Sequence, residues 1–196
     1  MHGVEPTEAP RRILVAGGSG AGKSTVAAAV AARLGLPYVE LDSLFHGPGW
    51  VPRPEFAADA AALAAGEVWV TEWQYSLARP VLLARAELLV WLDLPRWRVM
   101  VQLVARTLRR RATGAQLWNG NVEPPLRTVL TDRDHLLRWA WRTHPDTARR
   151  IATARAQGRC PPVVRLRSRA EIRAWLERGA GRPAPGPGAG SPTPPG

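Results

Sequence analysis

The sequence predicts an α/β protein, with a parallel sheet of five short strands covered by helices on both faces. Three observations predict it. Runs of about four or five apolar residues alternate along the chain with stretches of helical length, and strands that alternate with helices imply parallel pairing through crossovers. Ile13 to Ala16 and Leu88 to Leu92 are apolar throughout and do not alternate with polar residues, the pattern of strands buried on both sides. Finally, 196 residues, 45% of them hydrophobic and nine of them Trp, suffice for a sizeable core and exclude a wholly disordered chain.

Residues 1–10 contain Pro6 and Pro10 without periodicity and read as a flexible leader. Ile13 to Ala16 is the first strand, ending in glycines, and Ser24 to Leu34 is an Ala-rich helix with Gly35 as its stop. Tyr38 to Leu41 is the second strand. Pro54 to Ala65 reads as a helix with Pro in its first turn, followed by Gly66 and a third strand, Val68 to Thr71. Leu77 to Ala86 is a short helix, and Leu88 to Leu92 is the fourth strand, closed by Asp93-Leu94-Pro95. From Arg96 to Arg111 a longer helix places Met100, Leu103, Val104 and Leu108 at helical spacing. Helices over Asp132 to Trp141 and Asp146 to Ala156 are parted at His144-Pro145, because the residue before proline avoids helical dihedrals. Val163 to Leu166 is the fifth strand. Ser168-Arg169-Ala170-Glu171 is a capping box opening a last helix through Arg178. Beyond it, twelve of the eighteen residues from Gly179 to Gly196 are Gly or Pro, so no apolar face offsets the entropy of ordering and the tail reads as disordered.

The most specific signal is Gly17-Gly18-Ser19-Gly20-Ala21-Gly22-Lys23-Ser24-Thr25, which satisfies G-x-x-x-x-G-K-[ST] directly after a strand and directly before a helix. Glycines let the backbone turn with its N–H groups inward, and the following helix adds its positive dipole end. Lys23 can reach the β- and γ-phosphates of ATP, and the Ser24 hydroxyl can ligate Mg2+. The class is therefore a P-loop NTPase three-layer sandwich. Lys23 is also the only lysine beside 26 arginines: a compact ammonium remains where a planar guanidinium would not fit. Its isolation excludes the Asn/Thr-Lys-x-Asp motif of guanine-specific GTPases, and its place in a phosphate loop excludes protein-kinase architecture.

Charge is unevenly spread. Residues 1–95 carry seven basic and ten acidic groups, and residues 96–196 carry twenty arginines and six acids. Such a field attracts polyanions, either nucleotide phosphates or nucleic acid, and charge alone does not choose; a compositional habit for Arg would produce the same excess. Arg106, Arg109 and Arg110 follow i, i+3, i+4 spacing and could present guanidinium groups to polyphosphate oxygens, or form a solvated face. With the Asn119-Gly120 turn signal they suggest a short Arg-rich lid over about 106–122. One cysteine, Cys160, excludes an internal disulfide, and His2, His46, His135 and His144 show no metal-ligand spacing. With no stretch near the roughly 18 apolar residues of a membrane span and no signal-peptide pattern, the expected address is cytoplasmic.

The chain resembles the adenylate-kinase-like P-loop kinases and, more closely, the small bacterial family named for DNA topology modulation. The closer likeness rests on Leu41-Asp42-Ser43-Leu44-Phe45 with Gly49-Trp50, on Trp69 to Glu72 and Tyr75, and on Trp91 to Pro95 before the Arg-rich helix. It covers about residues 11–178, as one kinase-like domain. The resemblance implies an acceptor region after the second strand and a lid after the fourth. Asp42 matches an acidic position where related kinases orient an acceptor or a metal-bound water, or it caps a turn. Glu72 matches a carboxylate that holds Mg2+ through water, where nucleotide kinases usually carry Asp-Gly. Trp50 and Tyr75 would shape the acceptor site, Lys23, Arg106 and Arg110 would act on the transferring phosphoryl, and Asp93 suits helix capping. The expected activity is Mg·ATP-dependent transfer of phosphate to a small acceptor. A nucleic-acid-engaging ATPase module is the alternative.

Overall fold

A computed structural model describes residues 9–113, 118–121 and 136–179. Most of the expected leader, the tail beyond Gly179, residues 114–117 and 122 of the expected lid and the first four residues of the helix expected from Asp132 lie outside them. The described chain runs β1 (Arg12–Gly17), α1 (Lys23–Leu34), α2 (Leu41–Phe45), a 3-10 turn (Pro48–Trp50), α3 (Phe56–Ala65), β2 (Trp69–Glu72), α4 (Ala78–Leu83), β3 (Leu88–Leu92) and α5 (Arg96–Ala112). A second 3-10 turn (Trp118–Gly120), α6 (Leu136–Thr143), α7 (Asp146–Ala156), β4 (Val163–Leu166) and α8 (Arg169–Glu177) follow.

The sheet has four strands, all parallel, in the order β2-β1-β3-β4. The expected strand over Tyr38 to Leu41 is instead a single parallel bridge, Tyr38 to Val70, at the outer edge beside β2. Side chains of β2 take over from the ladder there. Thr71 Oγ1 donates to Val39 O at 2.7 Å, and the Leu41 N–H donates to Glu72 Oε2 at 3.2 Å, so the chain turns into α2 one residue after Glu40.

Alternation along the strands separates two cores. Ile13, Val15, Leu88, Val90 and Leu92 pack with Val26, Val30 and Trp175 of α1 and α8. Leu14, Ala16, Leu89 and Trp91 pack with Leu41, Phe56, Leu82 and Ile151 of α2, α3, α4 and α7. These are the three layers. Burying a Leu or Val side chain contributes about 1.5–3 kcal/mol, and burial on both faces explains why the runs of β1 and β3 carry no polar alternation, whereas β4 exposes Arg165.

Two expectations about helices are corrected. The buried stripe of α5 is Val99, Leu103 and Thr107, while Leu108 is 51% exposed; the helix is turned by packing Leu103 onto the glycine loop after β1, where a Cβ on Gly20 would stand 2.9 Å from Leu103 Cβ. Asp93 does not serve as a cap, because its carboxylate binds Arg165 Nε at 2.8 Å. The capping residue of α8 is as expected: Ser168 Oγ accepts the Glu171 N–H at 3.1 Å.

Candidate active site

The loop between β1 and α1 is shaped by its glycines. Gly20 and Gly22 hold φ of 87° and 91°, the left-handed region that side chains disfavour, and Gly22 is the N-cap of α1. Gly17 is confined as well, since a Cβ there would lie 3.2 Å from Leu92 O. The helix dipole alone contributes about 0.3–1 kcal/mol to holding an anion, so the loop needs further positive groups. Lys23 supplies one, with Nζ donating to Gly18 O at 3.4 Å. Burial lowers its pKa, the nearby Arg106 adds to that, and Asp42 and Glu72 oppose it. A polyphosphate in the loop would relieve the same penalty.

Beside the loop, between α1, α5 and the start of α8, lies a cleft of about 440 Å³ lined by Thr25, Val26, Leu94, Gln102, Arg169, Ile172 and Arg173. Gln102 Nε2 is buried there without a hydrogen-bond partner among the described residues. Sequence reasoning missed Gln102, Arg169 and Arg173, because nothing in their local pattern separates them from other helix residues.

On the other side of Lys23 stand three carboxylates. Glu72, fully buried, accepts from the Tyr38 phenol at 2.6 Å and from the Leu41 N–H. Glu40 accepts from Trp118 Nε1 at 2.8 Å and lies beside Ser24. Burial raises the Glu40 pKa, the Trp118 bond opposes this, and Glu72 and Asp42 reinforce it. Asp42 Oδ1 accepts from Gln74 Nε2 at 2.7 Å and from the Tyr75 phenol at 2.5 Å. Tyr38 donates to Glu72 and lies beside Ser24, so it stands between the hydroxyl of the loop and the strand carboxylate. Both oxygens of Glu72 are thus engaged, and Glu40, which the motif reading passed over, is a carboxylate beside Ser24.

The turn at 118–121 closes over this region. Asn121 Oδ1 accepts the Trp50 N–H at 3.0 Å, Asn121 Nδ2 donates to Gly47 O at 2.9 Å, and Asn119 Nδ2 donates to His46 O. Trp118 lies 6.1 Å from the His46 ring and 6.4 Å from Trp50, and Arg110 stands 5.9 Å from the Trp118 ring. Of the three lid arginines, Arg106 acts on Lys23, Arg110 faces Trp118, and Arg109 is exposed. The three non-glycine residues with positive φ among the described residues, Trp50, Tyr75 and Asn119, all lie here. Such conformations cost about 1–3 kcal/mol each and persist where surrounding contacts enforce them.

No protein-family model matches the chain, and no curated protein sequence matches it. Solved structures do. A candidate kinase from Chloroflexus aurantiacus superposes with a TM-score of 0.51 at 19% identity, over 87% of this chain and 97% of that one. A gluconokinase from Sinorhizobium meliloti gives 0.48 at 21% identity, over 86% and 93%, and a shikimate kinase from Acinetobacter baumannii in complex with shikimate gives 0.45 at 19%, over 86% and 89%. The first of these carries the comparison: the chain has an α/β P-loop kinase fold with a parallel sheet.

Proposed function

We propose that the protein is an ATP-dependent phosphotransferase that moves the γ-phosphate to a small acceptor. The observation that carries this reading is the Gly17–Thr25 loop at the C-terminal end of the interior strand β1, with Lys23 acting between that loop and the Asp42 carboxylate. The backbone N–H groups of Gly18 to Ser24 would cradle the polyphosphate, and the cleft beside Gln102 would take the base, its unpaired amide donating to a ring acceptor.

An oxygen-only donor set fits Mg2+: the Ser24 hydroxyl, with Glu40 beside it and Glu72 one hydrogen bond behind through Tyr38. When bound, the metal would neutralise charge on the phosphate oxygens. Lys23, Arg106 and Arg110 would hold the transferring group, Asp42 would orient the acceptor hydroxyl, and Trp50 with the 118–121 turn would exclude water, so that the acceptor takes the phosphate. The sequence motifs at Leu41–Phe45, Trp69–Tyr75 and Trp91–Pro95 support the finer likeness to the family named for DNA topology modulation. They carry no claim about nucleic acid. That second reading draws on net charge, and several arginines of the basic half are held within the chain, Arg149 and Arg150 by Asp146 and Arg165 by Asp93.

The test is ADP release from Mg·ATP with D-gluconate, shikimate, nucleosides and nucleoside monophosphates as acceptors. Release at least ten times the water background with one of them is expected. Mg·ATP binding with no acceptor-dependent release would overturn the transferase reading.

A further inference from the structure

Asp42 lies in the first turn of α2, yet Glu40 is the N-cap and no side chain caps that helix. Two donors from the segment after β2 converge instead on one oxygen of Asp42, Gln74 Nε2 and the Tyr75 phenol both on Oδ1. Among the described residues this leaves Oδ2 for a ligand. The backbone is bent to achieve it: Tyr75 holds φ at 61°, a conformation a tyrosine adopts only when its surroundings enforce it. The ring is held by Phe45, stacked at 4.0 Å between centroids, and by Phe56, edge-on at 5.1 Å.

Proton bookkeeping fixes the direction of the network. The phenol has one proton, which goes to Asp42. His46 Nε2, 3.1 Å from the same phenol oxygen, must then donate to it, so His46 is the Nε2–H tautomer by hydrogen-bond logic. Its Nδ1 is buried with no partner among the described residues, so a second proton there would find no acceptor. The chain runs His46 to Tyr75 to Asp42.

We propose that Tyr75 is a positioning residue, which with Gln74 fixes Oδ1 of Asp42 so that Oδ2 takes the proton of the acceptor hydroxyl. This rests on the phosphotransferase reading. In the step, the acceptor O–H bond breaks as its oxygen bonds the γ-phosphorus, the proton passes to Oδ2, and the electron pair of the broken γ-phosphorus–oxygen bond leaves with ADP. Tyr75 is thereby removed from direct contact with the acceptor and acts through Asp42.

Two measurements test it on the full chain. Tyr38 and Tyr75 are the only tyrosines, so the Tyr75 hydroxyl proton can be assigned by NMR against Tyr75→Phe. Its exchange with water should quicken at least tenfold in Asp42→Asn; an unchanged rate overturns the proposal, whether or not the protein is a kinase. In steady-state turnover of Mg·ATP with D-gluconate or shikimate, whichever gives release above the water background, Tyr75→Phe keeps the ring contacts and should lower kcat at least tenfold with KM for ATP within twofold. In an Asp42→Asn background the same change should cost less than twofold. A full additional loss in that background, or an unaltered kcat in Tyr75→Phe alone, overturns it. Absence of phosphotransfer to any acceptor in the wild type would sink the phosphotransferase reading instead, with the exchange experiment still deciding the Tyr75–Asp42 bond.

Discussion

The two sides of Lys23 are built differently. Toward the proposed nucleotide site, one contiguous stretch of backbone makes the surface, and its left-handed residues are glycines, Gly20 and Gly22. Toward the proposed acceptor site, side chains from four separated segments, around Glu40–Trp50, Glu72–Tyr75, Arg106–Arg110 and Trp118–Asn121, meet by hydrogen bonding and ring packing. The left-handed residues there are Trp50, Tyr75 and Asn119. A cradle for phosphate needs only donors on a rigid turn, and every nucleotide carries the same phosphates. A pocket for a particular acceptor needs shape and polarity, which only side chains supply, and strained backbone is tolerated to aim them.

Breaking the backbone side should have the largest effect. With ATP at about 100 times its Kd, binding stabilises the wild type by about 2.7 kcal/mol; Lys23→Ala should remove most of this, read as the Mg·ATP-dependent shift in Tm. A mutant that keeps the full shift would mean the nucleotide binds elsewhere. Next, Gly20→Ala places a Cβ in left-handed backbone and 2.9 Å from Leu103 Cβ, so α5 must shift or the loop must strain. A loss of about 2–4 kcal/mol is expected in urea unfolding, against little change for Gly18→Ala, where the nearest contact is His144 at 3.6 Å.

On the acceptor side single changes should cost less, because the load is shared. Asn121→Ala removes the acceptor of the Trp50 N–H and the donor to Gly47 O, and about 1–3 kcal/mol is expected from a buried group left unpaired. Unfolding should report it, together with a raised KM for the acceptor and an unchanged affinity for ATP. The smallest effect sharpens the electrostatics. Burial lowers the His46 pKa below 6.5, with Asp42 opposing, so the unfolded chain binds more protons than the folded one as pH falls below 6.5. His46 therefore destabilises the fold progressively below that pH and contributes no slope above it. Urea unfolding between pH 5 and 7 should show a shallower acid loss in His46→Gln; an identical slope would remove His46 from the account.

The layers and the phosphate loop were legible because their physics is local. Short apolar runs bounded by turn residues, as in β1 and β3, read as strands buried on both faces, and the glycine-lysine spacing describes one turn of backbone. The side-chain cluster across from the loop was legible only in part. Asp42, Trp50 and Tyr75 stood out by motif, but His46, Gln74, Glu40 and Asn121 carry no local signature, and each matters through a partner 29 to 78 positions away. Likewise Tyr38 to Leu41 has the composition of a strand, and it is the reach of Glu72 and Thr71 across the sheet edge that turns it into a bridge and a helix start.

By itself, then, the sequence determined an α/β sheet, the loop that can hold a polyphosphate and the need for one lysine in a chain of arginines, since each follows from contacts within a few residues or from periodicity. Tertiary structure alone decided which face of α5 is buried, that Asp93 pairs with Arg165, and that Tyr75 turns onto Asp42. Those outcomes depend on which surfaces meet across the sheet, and burial leaves polar groups no solvent to fall back on.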